Sequence, residues 1–191
     1  MSTNIDNKVA ALLQSASADL SRSNPNTGQG AQGEWPPQGD HDVMVVDCRE
    51  TIVQVDIGQG AKADAVEIAF QYLWTQPTDD PEYDPAKGPK TLEFWGERFQ
   101  ILPNYEKQCI DDKAKTRFRI VMDRFLGHMT KLLGVNKEQI SNALQAYQSL
   151  KTNIHGDTRI SARTRLQYRP WTGRDGKQGI AKTEYILERL S

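Results

Sequence analysis

The sequence predicts a mainly β domain with one or two helices inserted between the third and fourth of five strands. Three observations carry that prediction. Two-residue hydrophobic alternation recurs between residues 41 and 101 and again after 158, which is the period of a half-buried strand. Between these regions, hydrophobic residues fall three and four apart over 111–133, the period of an amphipathic helix. The segments that separate them are rich in Gly, Pro, Asp and Asn, the residues that turns use.

The N-terminal stretch stands apart from the rest. Residues 4–22 space Ile5, Val9, Leu12, Leu13 and Leu20 as a short amphipathic helix would. SNPNTGQGAQGEWPPQG then supplies too little apolar surface for a core and reads as linker, with Trp35 either packed on the domain or mobile. Residues 1–38 are thus expected to be an arm and flexible linker, and 39–191 the domain, with the boundary near Pro37–Gly39.

The strands follow in order. HDVMVVDCRETIVQVDI, from His41 to Ile57, alternates apolar residues but is interrupted by Asp47-Cys48-Arg49-Glu50. A long bulged strand or two short ones fit it. Residues 58–64 are expected to be a loop. Residues 66–74 put Val66, Ile68, Phe70, Tyr72 and Trp74 on one face. Four prolines make TQPTDDPEYDPAKGPK a long acidic loop. Residues 91–101 form the third strand, with Gly96 marking a bend or bulge.

The helix over 111–133 opens on Asp111-Asp112, near the positive end of its dipole, and stops at Gly134. A second helix is expected from Lys137 to Leu150. Strands over Thr158–Trp171 and Ile180–Leu190, joined by TGRDGKQG with its Asp175-Gly176 turn signal, close the chain.

Charge points to a class of partner. The net charge of −1 argues against a nucleic-acid binder, but its distribution points the other way. Lys151–Ser191 holds nine basic and four acidic residues, a balance of +5, which leaves −6 on the remainder. Within it, Ile160, Ala162, Thr164, Leu166 and Tyr168 share one face of a strand, and Arg159, Arg163, Arg165 and Arg169 share the other. Alternate side chains repeat about every 7 Å along a strand, close to the phosphate spacing of an extended nucleic acid. Trp171, Arg174 and Lys177 continue the row into the adjoining loop, where an indole beside cations suits base stacking and phosphate neutralisation. The competing reading is an ordinary charged outer face, its arginines paired with Glu184 or Glu188. Tyr72, Trp74 and Trp95 are further stacking candidates, each also suited to a core.

Other chemistries lack their residues. His41, His128 and His155 have no second His or Cys at metal-ligand spacing, and no phosphate-cradling Gly-Lys-Ser loop or GxSxG is present. No cofactor or metal is expected, and the protein is expected not to be an enzyme. Asp47, Asp56 and Glu67 are the one alternative carboxylate set, for a metal-dependent nuclease. Cys48 and Cys109 are expected to be reduced thiols in a cytoplasmic protein, because no leader or apolar run of membrane-spanning length occurs.

Five strands with a helix after the third is the element order of an OB-fold barrel, whose loops after strands one and four grip nucleic acid. Here those loops would be Gly58–Asp64, carrying Lys62, and Thr172–Gly179, carrying Arg174 and Lys177. The chain also resembles phage-encoded single-stranded-DNA-binding proteins of OB-fold type, including a family long catalogued as of unknown function. Pro37-Gln38-Gly39-Asp40-His41, Phe94-Trp95-Gly96-Glu97-Arg98-Phe99, the helix ending Leu132-Leu133-Gly134 and the basic hairpin carry the likeness over about residues 36–190. The resemblance implies coating of single-stranded DNA during replication or recombination in a bacterial or phage-infected cell. It also implies other replication or recombination proteins as partners. Many such proteins close on an acidic recruiting tail; this sequence closes ILERLS, so that recruitment mode does not carry over. A structural or assembly module, with the N-terminal helix as a homo-oligomerisation arm, is the alternative function.

Overall fold

The computed structural model describes residues 7–14, 35–140, 143–156, 159–173 and 176–191. Five antiparallel strands form one sheet in the order β3-β2-β1-β4-β5: β1 (Gly39–Gly58), β2 (Ala61–Thr75), β3 (Thr91–Ile101), β4 (Ile160–Thr172) and β5 (Gln178–Arg189). Residues 7–14 are helical (α1). Helices α2 (Tyr105–Gln108), α3 (Asp112–Leu133) and α4 (Ala143–His155) lie between β3 and β4. Among the described residues, no helix is long and apolar enough to cross a membrane.

The alternation read from the sequence sets which side faces the core, and bulges adjust it. Val43 and Val45 point inward on β1; the register shift between Val45 and Asp47 adds one residue, Val46, and so turns Cys48 inward in place of Asp47. On β3, Gly96 and Glu97 together oppose Phe70 alone, because Ala69 pairs with Arg98 and Gln71 with Trp95. That bulge turns both residues to the buried side and explains how a glutamate comes to be only 3% exposed. The loop expected over 58–64 is shorter than the sequence suggested. Residues 61–64 extend β2, leaving a tight turn in which Gly58, Gln59 and Gly60 all take positive φ.

Helix α3 starts on an Asp111 side chain that accepts from the Ala114 N–H and ends on a left-handed Gly134. Its Phe118, Met122, Phe125, Leu126 and Met129 are buried against the sheet's inner face with Ile68, Phe70 and Phe99. Helix α4 buries Tyr147, Leu150 and Ile154, and the Tyr147 hydroxyl and Lys151 ammonium donate to Glu50 on β1 at 2.8 and 2.7 Å. Residues 7–14 and Trp35 join the same core. Val9 and Leu13 of α1 are buried with it, Lys8 pairs with Asp64, and Trp35 packs 5.2 Å from Phe94 and 6.4 Å from Tyr168. Cys48 and Cys109 are free and buried.

The five strands form an open sheet where the sequence led us to expect a closed barrel. No ladder joins β3 to β5, and a side chain occupies the place of one. The Glu97 N–H donates to Oε2 of Glu184 at 3.3 Å rather than to a β5 carbonyl. Gly96 makes room for this carboxyl, since a Cβ there would lie 2.1 Å from Glu184 Oε2 and 2.5 Å from the Tyr72 ring. Around it lie the buried Arg124–Glu97 ion pair, His128 at 3.9 Å, and the Tyr72 hydroxyl, which is 2.5 Å from His128 Nε2. Burial pushes the Glu184 carboxyl up to about 8, partly offset by the Tyr72 hydroxyl. It pushes His128 down to about 3, helped by the charges of Arg124 and Lys131. Both groups are therefore neutral at pH 7.

Candidate nucleic-acid interface

Strand β4 presents the two faces its sequence implied. Ile160, Ala162, Thr164 and Leu166 are buried, while Arg159, Arg163, Arg165, Arg169 and Trp171 are exposed. The arginines are not equivalent, however. β1 pairs with the first half of β4 and sets Asp42 opposite Arg163 and Asp40 opposite Arg165. Arg163 donates to both Asp42 oxygens at 2.8 and 3.2 Å and lies 3.7 Å from Glu188; Arg165 donates to both Asp40 oxygens at 2.7 and 2.8 Å. The expected row of four unpartnered guanidinium groups is thus corrected: two of the four are held by carboxylates from a strand some 120 residues earlier in the chain. Glu184, expected as a possible partner on the outer face, faces the core instead. The extra residue on β5 between Glu188 and Ile186 shifts the register and sets Glu184 opposite buried Leu166.

Beyond Leu166 the environment changes. Gly39, where β1 begins, pairs with Leu166, so residues 167–172 of β4 are paired with β5 alone and form a two-stranded arm. One face of the arm carries Gln167, Arg169 and Trp171, opposite Thr183, Ala181 and Gly179. Small, uncharged partners leave the long side chains uncovered. Arg169 donates to Gln167 at 3.1 Å, and among the described residues no ion pair joins it or Arg159 to a carboxylate. The Trp171 indole lies against Gly179, where a Cβ would come within 2.7 Å of its Nε1, yet the residue remains 48% exposed. Pro170 and the exposed Ile180 pair on the opposite face, next to Lys182, whose ammonium sits 5.5 Å from the Tyr168 ring centroid. Lys177 adjoins the turn, where the Gly173 N–H bonds its carbonyl at 2.7 Å. Arg174 and Asp175 lie outside the described residues.

The remaining candidates divide. Lys62 lies on β2 rather than in a loop and sits 3.7 Å from Asp56. Tyr72 is fully buried and Trp74 is 6% exposed, so neither offers a ring face to a base. Trp95 is half-buried on the outer face of β3, and the Arg49 guanidinium lies over its ring, 4.2 Å from the centroid. Nothing local in the sequence marks Arg49, because only the pairing of Arg49 with Ala69, and of neighbouring Gln71 with Trp95, brings the two together. Arg98 beside them is 3.7 Å from Glu67. A cavity of about 760 Å³ between the β1–β2 turn and α3 is lined by Asp56, Gln59, Lys113, Arg117 and Ile120, mixed in charge, and shares no lining residue with the arm.

The carboxylates Asp47, Asp56 and Glu67 do not come together. Asp47 is bound to His155 at 2.8 Å, Asp56 to Lys62, and Glu67 to Arg98 and Gln100. Among the described residues, no group of three His, Cys, Asp or Glu side chains could hold a metal ion. Comparison with protein-family models, with curated proteins and with solved structures finds no match for the chain.

Proposed function

We propose that the protein binds single-stranded nucleic acid without catalysis, as a single-stranded-DNA-binding protein of phage-type replication or recombination, and that the β4–β5 arm is its main contact. The observation that carries this reading is Arg169 and Trp171, two residues apart on one arm face and opposite only Ala181 and Gly179. An exposed indole offers a stacking platform that accepts any base, and a neighbouring guanidinium offers phosphate neutralisation. Lys182 adds a cation on the opposite face of the arm, and Arg159 another just before β4 begins. The strand order, with helices between the third and fourth strands, agrees with an OB-type arrangement, in which the loop between strands four and five grips the ligand. Arg49 over Trp95 on the outer β1–β3 face offers a second, partly capped platform.

Titration of tryptophan fluorescence with oligo-dT at two salt concentrations tests the reading. Binding should be tight at low salt and weaken steeply as salt rises, because phosphate neutralisation releases counterions. Absence of binding at low salt would overturn it. The second reading, an assembly module, is favoured by Ile180, 61% exposed on the arm face opposite Trp171. Light scattering that showed large ordered assemblies, together with no DNA affinity, would select it.

A further inference from the structure

We propose that Asp40 and Asp42 mask Arg165 and Arg163 from polyanions, so that the bound strand follows the arm and leaves the sheet at Gln167; this rests on the nucleic-acid reading above. Each guanidinium engages both oxygens of its carboxylate. That two-pronged geometry is the one arginine uses for phosphate, so the carboxylates occupy the donors a phosphate would need. With Glu188 beside Arg163, the patch holds two cations and three anions and exerts no net attraction on a polyanion. The Arg165 guanidinium hydrogen-bonded to Asp40 holds that carboxyl below the usual carboxylate range.

The mask also has a structural limit. β1 begins at Gly39, opposite Leu166, and supplies no acid to the strand beyond that point. Arg169 faces Ala181 in the register instead. A strand lying on the arm therefore meets net positive charge as far as Gln167 and a neutralised surface after it. The carboxylates of β1 set the length of the contact as well as its strength.

The test is a salt series of oligo-dT titrations on four full-length proteins: wild type, Asp40→Asn/Asp42→Asn, Arg163→Gln/Arg165→Gln, and the quadruple variant. All four positions are exposed, and circular dichroism confirms the fold of each. Freeing two arginines should steepen the slope of log affinity against log salt by up to about 1.4, or about 0.7 for each added phosphate contact. Affinity at low salt should rise with it. The quadruple variant, which removes both members of each pair, should bind with the wild-type slope, and the arginine variant, which leaves Asp40, Asp42 and Glu188 unpaired, should keep that slope and bind no tighter than wild type. An unchanged slope in the aspartate variant, with wild-type binding intact and dependent on Trp171, overturns the masking. So does an arginine variant whose slope flattens by a similar amount on its own. No binding by any of the four proteins overturns the nucleic-acid reading itself, and the masking with it.

Discussion

Replacing Glu184 by Gln should change how stability depends on pH, and the structure sets both the window and the sign. Glu184 is buried between β3 and β5, and its carboxyl titrates near 8 in the fold against an ordinary 4.5. Between those values the native state keeps a proton that the unfolded chain has lost, so stability falls as pH rises, by about 1.4 kcal/mol per pH unit. The full effect over the window is about 5 kcal/mol. His128 acts in the opposite sense. It titrates near 3 in the fold against 6.5 unfolded, so between those values the unfolded chain holds the extra proton and stability rises with pH at a similar rate.

From pH 4.5 to 6.5 the two slopes oppose each other, and wild-type stability should be nearly flat. From 6.5 to 8 only Glu184 acts, and stability should fall by about 2 kcal/mol. A glutamine at 184 keeps an oxygen for the Glu97 N–H but carries no titrating proton. The variant should therefore stay flat from 6.5 to 8 and lose stability progressively below 6.5. Urea unfolding followed by tryptophan fluorescence at pH 5, 6, 7 and 8 measures both curves. Parallel wild-type and variant curves between pH 6.5 and 8 would refute the claim that a neutral, buried Glu184 bridges the two edge strands.

Other perturbations separate binding from folding. Trp171→Ala should weaken oligo-dT binding by about 1–3 kcal/mol while leaving the urea midpoint nearly unchanged, since the side chain is half exposed; a lowered midpoint with unaltered affinity would contradict the site. Gly96→Ala drives a methyl group into the Glu184 carboxyl and the Tyr72 ring, and should cost about 1–3 kcal/mol in urea unfolding. Trp35→Ala removes a buried indole from Phe94 and Tyr168, and should cost about 3–5 kcal/mol in thermal or urea unfolding. A smaller loss would show that residues near Trp35 contribute little to the core.

Some of this protein was legible in sequence because it is local. Side chains of a strand alternate by covalent geometry, so the outward direction of Arg163, Arg165 and Arg169, and the inward direction of Ile160 to Leu166, followed from residue order alone. The extent of α3 followed likewise from its spacing, the Asp111 cap and Gly134. The dual fit of Tyr72 and Trp74 as platform or core was open at that level, because alternation says which residues share a face but not what covers it. Tertiary packing decides it: His128 of α3 meets the Tyr72 hydroxyl, and His41 of β1 packs edge-on against Trp74.

The fate of each charge depended on partners distant in the chain. Asp40 and Asp42 meet Arg165 and Arg163 only through the β1–β4 register, which no local pattern encodes. Single inserted residues on β1, β3 and β5 reverse the inward and outward sense of the residues on one side of them relative to the other. In that way Glu97 and Glu184, surface residues by type, came to lie inside and hold apart the strand edges a barrel would have joined. Composition and period determined the elements and the cationic face of β4; register, a long-range property, decided which of its arginines remain open to a ligand.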